Sequence, residues 1–380
     1  MTDPAPLRAA RLARLRAAMA AAGGDALVLT GAAAVRYATG AVPVHGDASF
    51  EAARPFAAVV TAAALHVLGV EPECVPAGVE AHAFPHAPAA AARAFASVLD
   101  GARSVGVDRL SEATAAGLAR ALPSARLTAA DAVLTTARAV KMPEEVALLR
   151  EAQRLNEEAI AEVLPAIVPG VREVELTGRF LAAMARRGVT PCHVEPLWCA
   201  MPRHAAAAPW TFPGGLPYRE LPDERVLAGG DQVMIDTGML YAGYPSDFGC
   251  TWVCGGDPGA ADRRLRARWQ AIVDAVLACC RPGASAADLH RAARAAHGAD
   301  RPPPWPQPLY LAHGIGLGGV EPPFIGTDLG LAAEERFVLE PGMVLVLEPC
   351  AWEEGAGGYR AEQTIAITPE GYERLSAAPP

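Results

Sequence analysis

The sequence predicts an α/β (α+β) protein of two domains, the second built on an internal repeat. Three observations carry this. At 380 residues the chain exceeds the size at which a single hydrophobic core keeps growing, so two domains are expected. Residues 1 to about 130 alternate strand-like and helix-like patterns, the signature of an α/β layer with a partly parallel sheet. Residues 159–188 and 271–298 then repeat one pattern: an apolar helix, a Pro-Gly break, and a second amphipathic helix ending at glycine.

Composition narrows the function classes. The hydrophobic fraction is 52%, much of it alanine, which favours packed helix. The formal charge is −9 with no basic block, which argues against a nucleic-acid partner. No uncharged apolar run reaches the roughly 18 residues that a membrane span needs. Eight cysteines without a CxxC pair read as buried free thiols rather than a disulfide framework or a zinc knuckle.

In the first domain, expected over 1–135, Leu7, Leu12, Leu15 and Met19 form the apolar stripe of an opening helix. Gly23-Gly24-Asp25 ends it, so this segment reads as folded structure rather than a targeting peptide, and the expected location is the cytoplasm. Strands are expected at Ala26–Leu29, Phe56–Val60, Leu65–Val70 and Ser104–Val107, and helices at Ala90–Leu99 and Ala113–Leu122. His45, His82 and His86 fall on expected loops with no carboxylate cluster nearby, so they read as surface or interface residues.

The second domain, 136–380, opens with RAVKMPEE (Arg138–Glu145). Pro143 suits a first helical turn, and Glu144 and Glu145 suit the positive end of the helix dipole. Each repeat is followed by an acidic hairpin. The first pairs Val233–Met239 with Asp247–Cys254 across Ala242, Gly243 and Pro245, and carries Asp236 and Asp247 near the facing ends of its strands. Carboxylates on opposed residues of such a pair point to one face and repel unless a cation lies between them. The second hairpin, Met343–Thr368, carries Glu348 and Glu362 across a Gly-rich turn. Four acids thus converge between two pseudo-twofold halves. Asp236 and Glu348 each end an apolar strand, where an unpaired carboxylate is costly.

Between the hairpins, His313 sits in LAHGIGLGGVEPP, expected to be a glycine-rich turn that lets the backbone approach a ligand. Four carboxylates and one imidazole make a mostly hard donor set. It suits a pair of Mn, Co, Zn or Fe ions better than one structural zinc.

These residues resemble the pita-bread metallopeptidases, which include methionine aminopeptidase, proline-specific aminopeptidase, prolidase and creatinase. The matching text is RAVKMPEE, GDQVMIDTG, GYPSDFGCTW, AHGIGL, LEPGMVLVLEP and GYRAE. With RLARLRAAMAAAGGDALVLTGAAAVRYATG near the N-terminus, the resemblance covers nearly the whole chain and points to the creatinase, prolidase and proline-aminopeptidase branch. It implies an N-terminal domain that joins in homodimerisation. It also implies two divalent ions held by Asp236, Asp247, His313, Glu348 and Glu362. Glu348 would double as general base, and a metal-bridged hydroxide would attack the amide carbonyl of a small peptide-like substrate.

Two departures stand out. Peptidases of the family carry a second histidine seven positions after the one matching His313, and here that position is Val320. A further histidine precedes the first aspartate by seventeen or eighteen positions, where this chain has Tyr218 and Arg219. Losing one such group typically costs about 10²–10⁴-fold in rate. Two readings follow. Either peptide-like amides are hydrolysed with other donors, among them His193, His204, Tyr218, Arg219 and Arg360, or the same metals serve a lyase or other non-peptidase, as in creatinase and the dimethylsulfoniopropionate lyase. A catalytically silent binding module is a third. Thr190–Leu221, with Trp198, His204 and Trp210, is expected to be a loop forming the substrate-pocket wall.

Overall fold

The computed structural model describes residues 3–41, 57–69, 75–82, 88–99, 101–189, 192–204, 223–297 and 311–377, the side chains of 88–89 and 193–195 excepted. The chain divides into two compact units, Met1–Arg138 and Ala139–Pro380.

In the first unit, helices α1 (Ala5–Ala21) and α2 (Ala32–Thr39) flank strand β1 (Ala26–Leu29). Strands β2 (Ala57–Thr61), β3 (Leu65–Leu68) and β4 (Glu80–His82) follow, then α3 (Pro88–Val98), β5 (Ser104–Val107), α4 (Glu112–Ala121), β6 (Arg126–Ala129) and α5 (Asp131–Ala139). The six strands form one mixed sheet in the order β4-β3-β2-β1-β5-β6. Pairs β1–β5, β5–β6 and β3–β4 are parallel, whereas β1–β2 and β2–β3 are antiparallel. Val28, Val59, Phe95, Val105 and Leu118 fill the core on one face of this sheet.

Two expectations change here. In α1 Leu7, Leu15 and Met19 are buried as expected, but the position buried with them is Arg11, not Leu12. Arg11 is held by Asp3 at 2.6 Å, and Asp3 also accepts from Arg36 at 2.9 Å. A buried guanidinium is tolerated because it is paired in this way. The second concerns His82, which lies on strand β4 beside Glu80 and His66 rather than on a loop without carboxylates. Parallel pairing of β3 with β4 brings His66 across from a strand fourteen residues later, which no local pattern reveals. His45 and His86 lie outside the described residues.

The second unit opens with α6 (Pro143–Val163), whose Pro143 occupies the first turn. The Glu145 carboxylate accepts from the Met142 backbone N–H at 3.0 Å, satisfying an otherwise orphaned donor. Then come α7 (Glu173–Arg186), β7 (Cys192–Ala200), β8 (Gln232–Tyr241), β9 (Tyr244–Pro245) and β10 (Phe248–Val253). The second half has α8 (Ala260–Leu277), α9 (Ala286–His297), β11 (Ala312–Gly314), β12 (Glu321–Ile325), α10 (Leu331–Glu334) and β13 (Val344–Leu347). It ends with β14 (Cys350–Glu353), β15 (Gly357–Arg360), β16 (Gln363–Thr368) and β17 (Gly371–Arg374). Sheets run β10-β8-β7, with β9 on β8, and β12-β11-β13-β16-β17, beside a β14-β15 ribbon.

The backbone repeats the sequence repeat. Gly170 and Gly283 both adopt positive φ at the Pro-Gly breaks. Their N–H groups donate to Leu227 and Leu339, each at 2.9 Å, and Leu227 and Leu339 donate back to Val171 and Ala284, each at 2.8 Å. Single bridges Arg172–Val226 and Ser285–Val338 then precede the second helix of each half. The same sequence device makes the same local structure twice.

Thr190–Leu221 is not all loop, since Cys192–Ala200 is a full edge strand on β8. Its register shifts twice before Leu197, which breaks the alternation that would have marked it as a strand. Trp198 is fully buried and packs 5.8 Å from Phe180, ring centroid to centroid. No described helix is long and apolar enough to cross a membrane.

Candidate metal centre

Four acids and one histidine converge in the second unit, each brought by a different stretch of backbone. Asp236 stands in the middle of β8, paired with Gly249 on β10 and Leu197 on β7. Asp247 lies just before β10, so the two aspartates are diagonal neighbours on one face rather than directly opposed. Diagonal positions are about 7–8 Å apart along the sheet. Their carboxylates nevertheless lean together, and with Glu362 they offer donor atoms within 4.8 Å of one another. Ala242 and Gly243, both at positive φ, make the tight turn that fixes this register. Ser246 Oγ then locks it by accepting from Met239 N at 3.0 Å.

His313 lies on β11, not on a turn, between Phe324 of β12 and Val346 of β13. Its Nδ1 is 2.9 Å from the Gly314 carbonyl, to which it donates. That bond aims Nε2 at Asp247 Oδ2 and Glu348 Oε1, each 3.3 Å away. Glu348 directly follows β13, and its N–H donates to Leu311 O at 2.9 Å. Glu362 precedes β16, and its N–H donates to Gly249 O at 3.0 Å, tying the second half of the unit to the first. Gly249 cannot be larger: a Cβ there would stand 2.5 Å from the Ile235 carbonyl oxygen, and 3.0 Å from Glu362 Oε1.

Arg360 is the residue whose place the sequence did not reveal. It was expected among the pocket-wall candidates, but its buried guanidinium lies inside the acid cluster. Nη1 is 2.9 Å from Asp236 and 2.7 Å from Glu362, and Nη2 contacts Glu348. The Glu362 contact is an ion pair without hydrogen-bond alignment, because neither Glu362 oxygen accepts a directed hydrogen bond. An acid cluster that recruits a guanidinium through three of its members is short of positive charge.

Charge accounting agrees. Burial raises the Asp236 and Glu348 carboxyls, and raises Glu362 well above the usual range, against the opposing pull of Arg360. Burial alone would lower His313, but the Asp247 hydrogen bond and the Glu348 charge outweigh it and bring the imidazole to about 9. Among the described residues, four carboxylates therefore face two organic cations, Arg360 and protonated His313. Divalent ions fit this donor set: they would displace the imidazole proton and engage oxygens that lack hydrogen bonds.

A polar layer supports the aspartates. Asn156 on α6 donates to Thr237 O at 2.8 Å and accepts from Thr237 Oγ1 at 2.9 Å. Gln153, one turn earlier, accepts from Asp247 N at 3.3 Å. The available signal was two amides, Gln153 and Asn156, lying on the apolar side of a helix with Leu149, Ala152 and Ile160. Buried Lys141 and Glu321 pair at 2.8 Å across the segment after His313. There a Cβ on Gly316 would stand 2.9 Å from Lys141 Cε.

Other expected site residues lie elsewhere. His204 is exposed and bonded to Glu354 at 2.9 Å, at the turn of the β14-β15 ribbon opposite Arg360. Val320 is 51% exposed. Trp210, Tyr218 and Arg219 fall outside the described residues, as does the side chain of His193. Cys250, next to the aspartates, is pushed up to about 12 by burial and by Glu362, so it stays a neutral thiol.

Comparisons with known proteins bear on the family and fold of both units. Residues 11–140 match the creatinase/prolidase N-terminal domain, and residues 147–369 match metallopeptidase family M24. An uncharacterized peptidase, YqhT, of Bacillus subtilis is 27% identical over 249 residues, covering 64% of this chain and 63% of its own. The Xaa-Pro dipeptidase of Pyrococcus furiosus is 27% identical over 253 residues, covering 65% of each chain. The matched stretch thus spans just under two-thirds of these relatives. Among solved structures, dipeptidase PepE from Mycobacterium ulcerans superposes with a TM-score of 0.79 at 25% identity, covering 100% of this chain and 98% of its own. The prolidase from Pyrococcus horikoshii gives 0.76 at 22% identity, covering 97% and 98%. The match to the family model extends over more than half of the chain, which therefore belongs to metallopeptidase family M24.

Proposed function

We propose that the chain is a metal-dependent hydrolase of an amide bond in a small peptide-like substrate. In this reading Asp236, Asp247, His313, Glu348 and Glu362 hold two divalent ions. The observation that carries it is the convergence of four buried or half-buried carboxylates from both halves of the second unit around too little positive charge. The mostly oxygen donor set suits Mn, Co, Zn or Fe. When bound, such ions supply Lewis acidity toward a carbonyl oxygen and lower the pKa of a water.

The chain's own residues do the rest. Glu348 is our general base: burial raises its affinity for a proton above that of an exposed glutamate, which suits it to accept one at a carboxylate oxygen. Arg360 bonds Asp236 and Glu348 together and fixes the direction of their remaining oxygens. His313 is oriented by its Gly314 hydrogen bond, so Nε2 alone faces the site. The neutral Cys250 thiol is no nucleophile. Relatives described as Xaa-Pro dipeptidases make Xaa-Pro dipeptides the first substrate class to test. A homodimer accompanies this reading on the resemblance, and a cytoplasmic location on reading the opening segment as a folded helix that Gly23-Gly24-Asp25 ends.

One observation favours a second reading, a lyase or small-amide hydrolase on the same centre. Val320 stands 51% exposed where the family's peptidases carry an imidazole, and valine offers no proton or hydrogen bond to a substrate. A panel of Xaa-Pro dipeptides, assayed for free amino acid release with Mn(II) or Co(II) and after chelation, tests the first reading. We expect chelator-sensitive release that metal restores. Activity unchanged in Asp236→Ala or Glu362→Ala would overturn it, and metal-loaded protein with no dipeptide turnover would move the assignment to the second.

A further inference from the structure

The first unit carries a second convergence of metal-type donors. Strand β4 is a three-residue edge strand, Glu80-Ala81-His82, paired in parallel with β3 so that His66 lies across from Glu80 and Leu68 across from His82. Side chains alternate along a strand, so Glu80 and His82 share the face that His66 also occupies, while Ala81 points to the other. His66 Nδ1 lies 3.1 Å from His82 Nε2 and 3.3 Å from Glu80 Oε2. Donor atoms of all three residues fall within 4.8 Å of one another.

A hydrogen-bonded trio accounts poorly for both contacts. Nδ1 of a neutral His66 has either one hydrogen or one lone pair. As a donor it serves both His82 and Glu80 only through a divided, weaker bond; as an acceptor it faces the Glu80 carboxylate lone pair to lone pair. A cation between the three groups removes the conflict. In a tetrahedral site with metal–nitrogen and metal–oxygen bonds of about 2.0–2.2 Å, ligand atoms are separated by about 3.3–3.6 Å. The two separations here are 3.1 and 3.3 Å, close to that edge without any ion to set them.

We propose that His66, Glu80 and His82 form a site for one divalent transition-metal ion of the zinc class. Two imidazoles and one carboxylate favour Zn(II), Co(II) or Cu(II) over Mg(II) or Ca(II). His66 is buried at its base, whereas the Glu80 side chain is 64% exposed, so the fourth position opens to water. A bound ion joins β4 to β3 through side chains, where the ladder itself supplies only three residue pairs. The ion thus pins the edge of the sheet, a role independent of the carboxylate centre in the second unit.

The two centres differ in imidazole count, which makes them separable. The carboxylate centre offers one histidine, His313, and this site offers two. Tag-free full-length protein would be titrated with up to three equivalents of Cu(II) and read by pulsed electron paramagnetic resonance, which counts coordinated imidazoles. We expect a two-imidazole species in the wild type and in His313→Gln, lost in His82→Gln. A wild type showing one imidazole at most, or a two-imidazole signal that survives in His82→Gln, would overturn the proposal. Should His82→Gln not fold, Glu80→Gln alters only an exposed side chain. It should weaken Zn(II) binding at this site by about tenfold or more in calorimetry, and an unchanged affinity would count against the site.

Discussion

Replacing Glu362 with glutamine keeps the side chain's shape and removes one buried charge, and its stabilising effect should shrink or reverse with metal. The Glu362 side chain is fully buried, neither oxygen accepts a directed hydrogen bond, and Arg360 is its nearest counter-charge at 2.7 Å. Leaving a buried polar group unsatisfied costs about 1–3 kcal/mol, more if charged. Without metal, Glu362→Gln should therefore stabilise the protein by about 1–3 kcal/mol. That corresponds to a rise in melting temperature of about 2–4 °C per kcal/mol for a unit of this size. With metal, that lead narrows or inverts. An ion at about 100 times its dissociation constant adds about 2.7 kcal/mol to the wild type. A loss of affinity of about 10–100-fold or more in the variant removes half or all of that gain. The assay is thermal unfolding of both proteins in chelator and in Mn(II). The variant should melt higher in chelator, and the wild type should gain more from metal. If the variant melts lower than wild type in chelator, or gains as much from metal, the reasoning about Glu362 is wrong.

The remaining predictions share the same centre. Because burial raises Asp236, Glu348 and Glu362, their protons are held to higher pH than on exposed acids. Metal affinity should therefore rise with pH, and binding should release protons; calorimetry at pH 5.5 and 7.5 in buffers of different ionisation enthalpy reads both, and pH-independent binding would contradict the charge accounting. His313, raised in the folded protein from 6.5 to about 9, makes the metal-free protein lose stability as pH rises across that span, so its melting temperature in chelator should be higher near pH 6 than near pH 8. Arg360→Met strips the acids of a buried partner and should cost about 3–5 kcal/mol in metal-free denaturant unfolding, with part restored by metal. Asn156→Leu removes the amide from the Thr237 carbonyl and leaves the Thr237 hydroxyl only the Phe248 carbonyl at 3.4 Å, and should cost about 1–3 kcal/mol by the same method. Val320→His, at a 51% exposed position, should leave stability unchanged and raise dipeptide hydrolysis if that imidazole alone is what the site lacks.

The elements that carry the acids were legible because each obeys a local rule. Strands β1 and β5 follow apolar runs bounded by turn residues, and the two Pro-Gly breaks mark the repeat at the positions where the backbone turns with positive φ. The acids stood out because carboxylates interrupt apolar strands. What stayed hidden depends on pairing between distant segments. The diagonal relation of Asp236 to Asp247 is a matter of register, which shifts by residue without changing composition. Strand β7 was masked by its two register shifts. Arg360 read as a pocket residue because nothing local says that β15 points it at three carboxylates. Arg11 and the His66, Glu80 and His82 trio are further cases: a charged or titratable side chain looks like surface until its partner arrives from elsewhere in the chain.

The central claim is that Asp236, Asp247, His313, Glu348 and Glu362 together hold divalent metal. Anomalous diffraction from crystals grown with Mn(II) tests it most directly. The account predicts two peaks among these five side chains, about 3.5–4 Å apart, with Arg360 retained on the outer oxygens. Crystals at saturating Mn(II) that show no peak there, with Arg360 still bridging Asp236, Glu348 and Glu362, would contradict it.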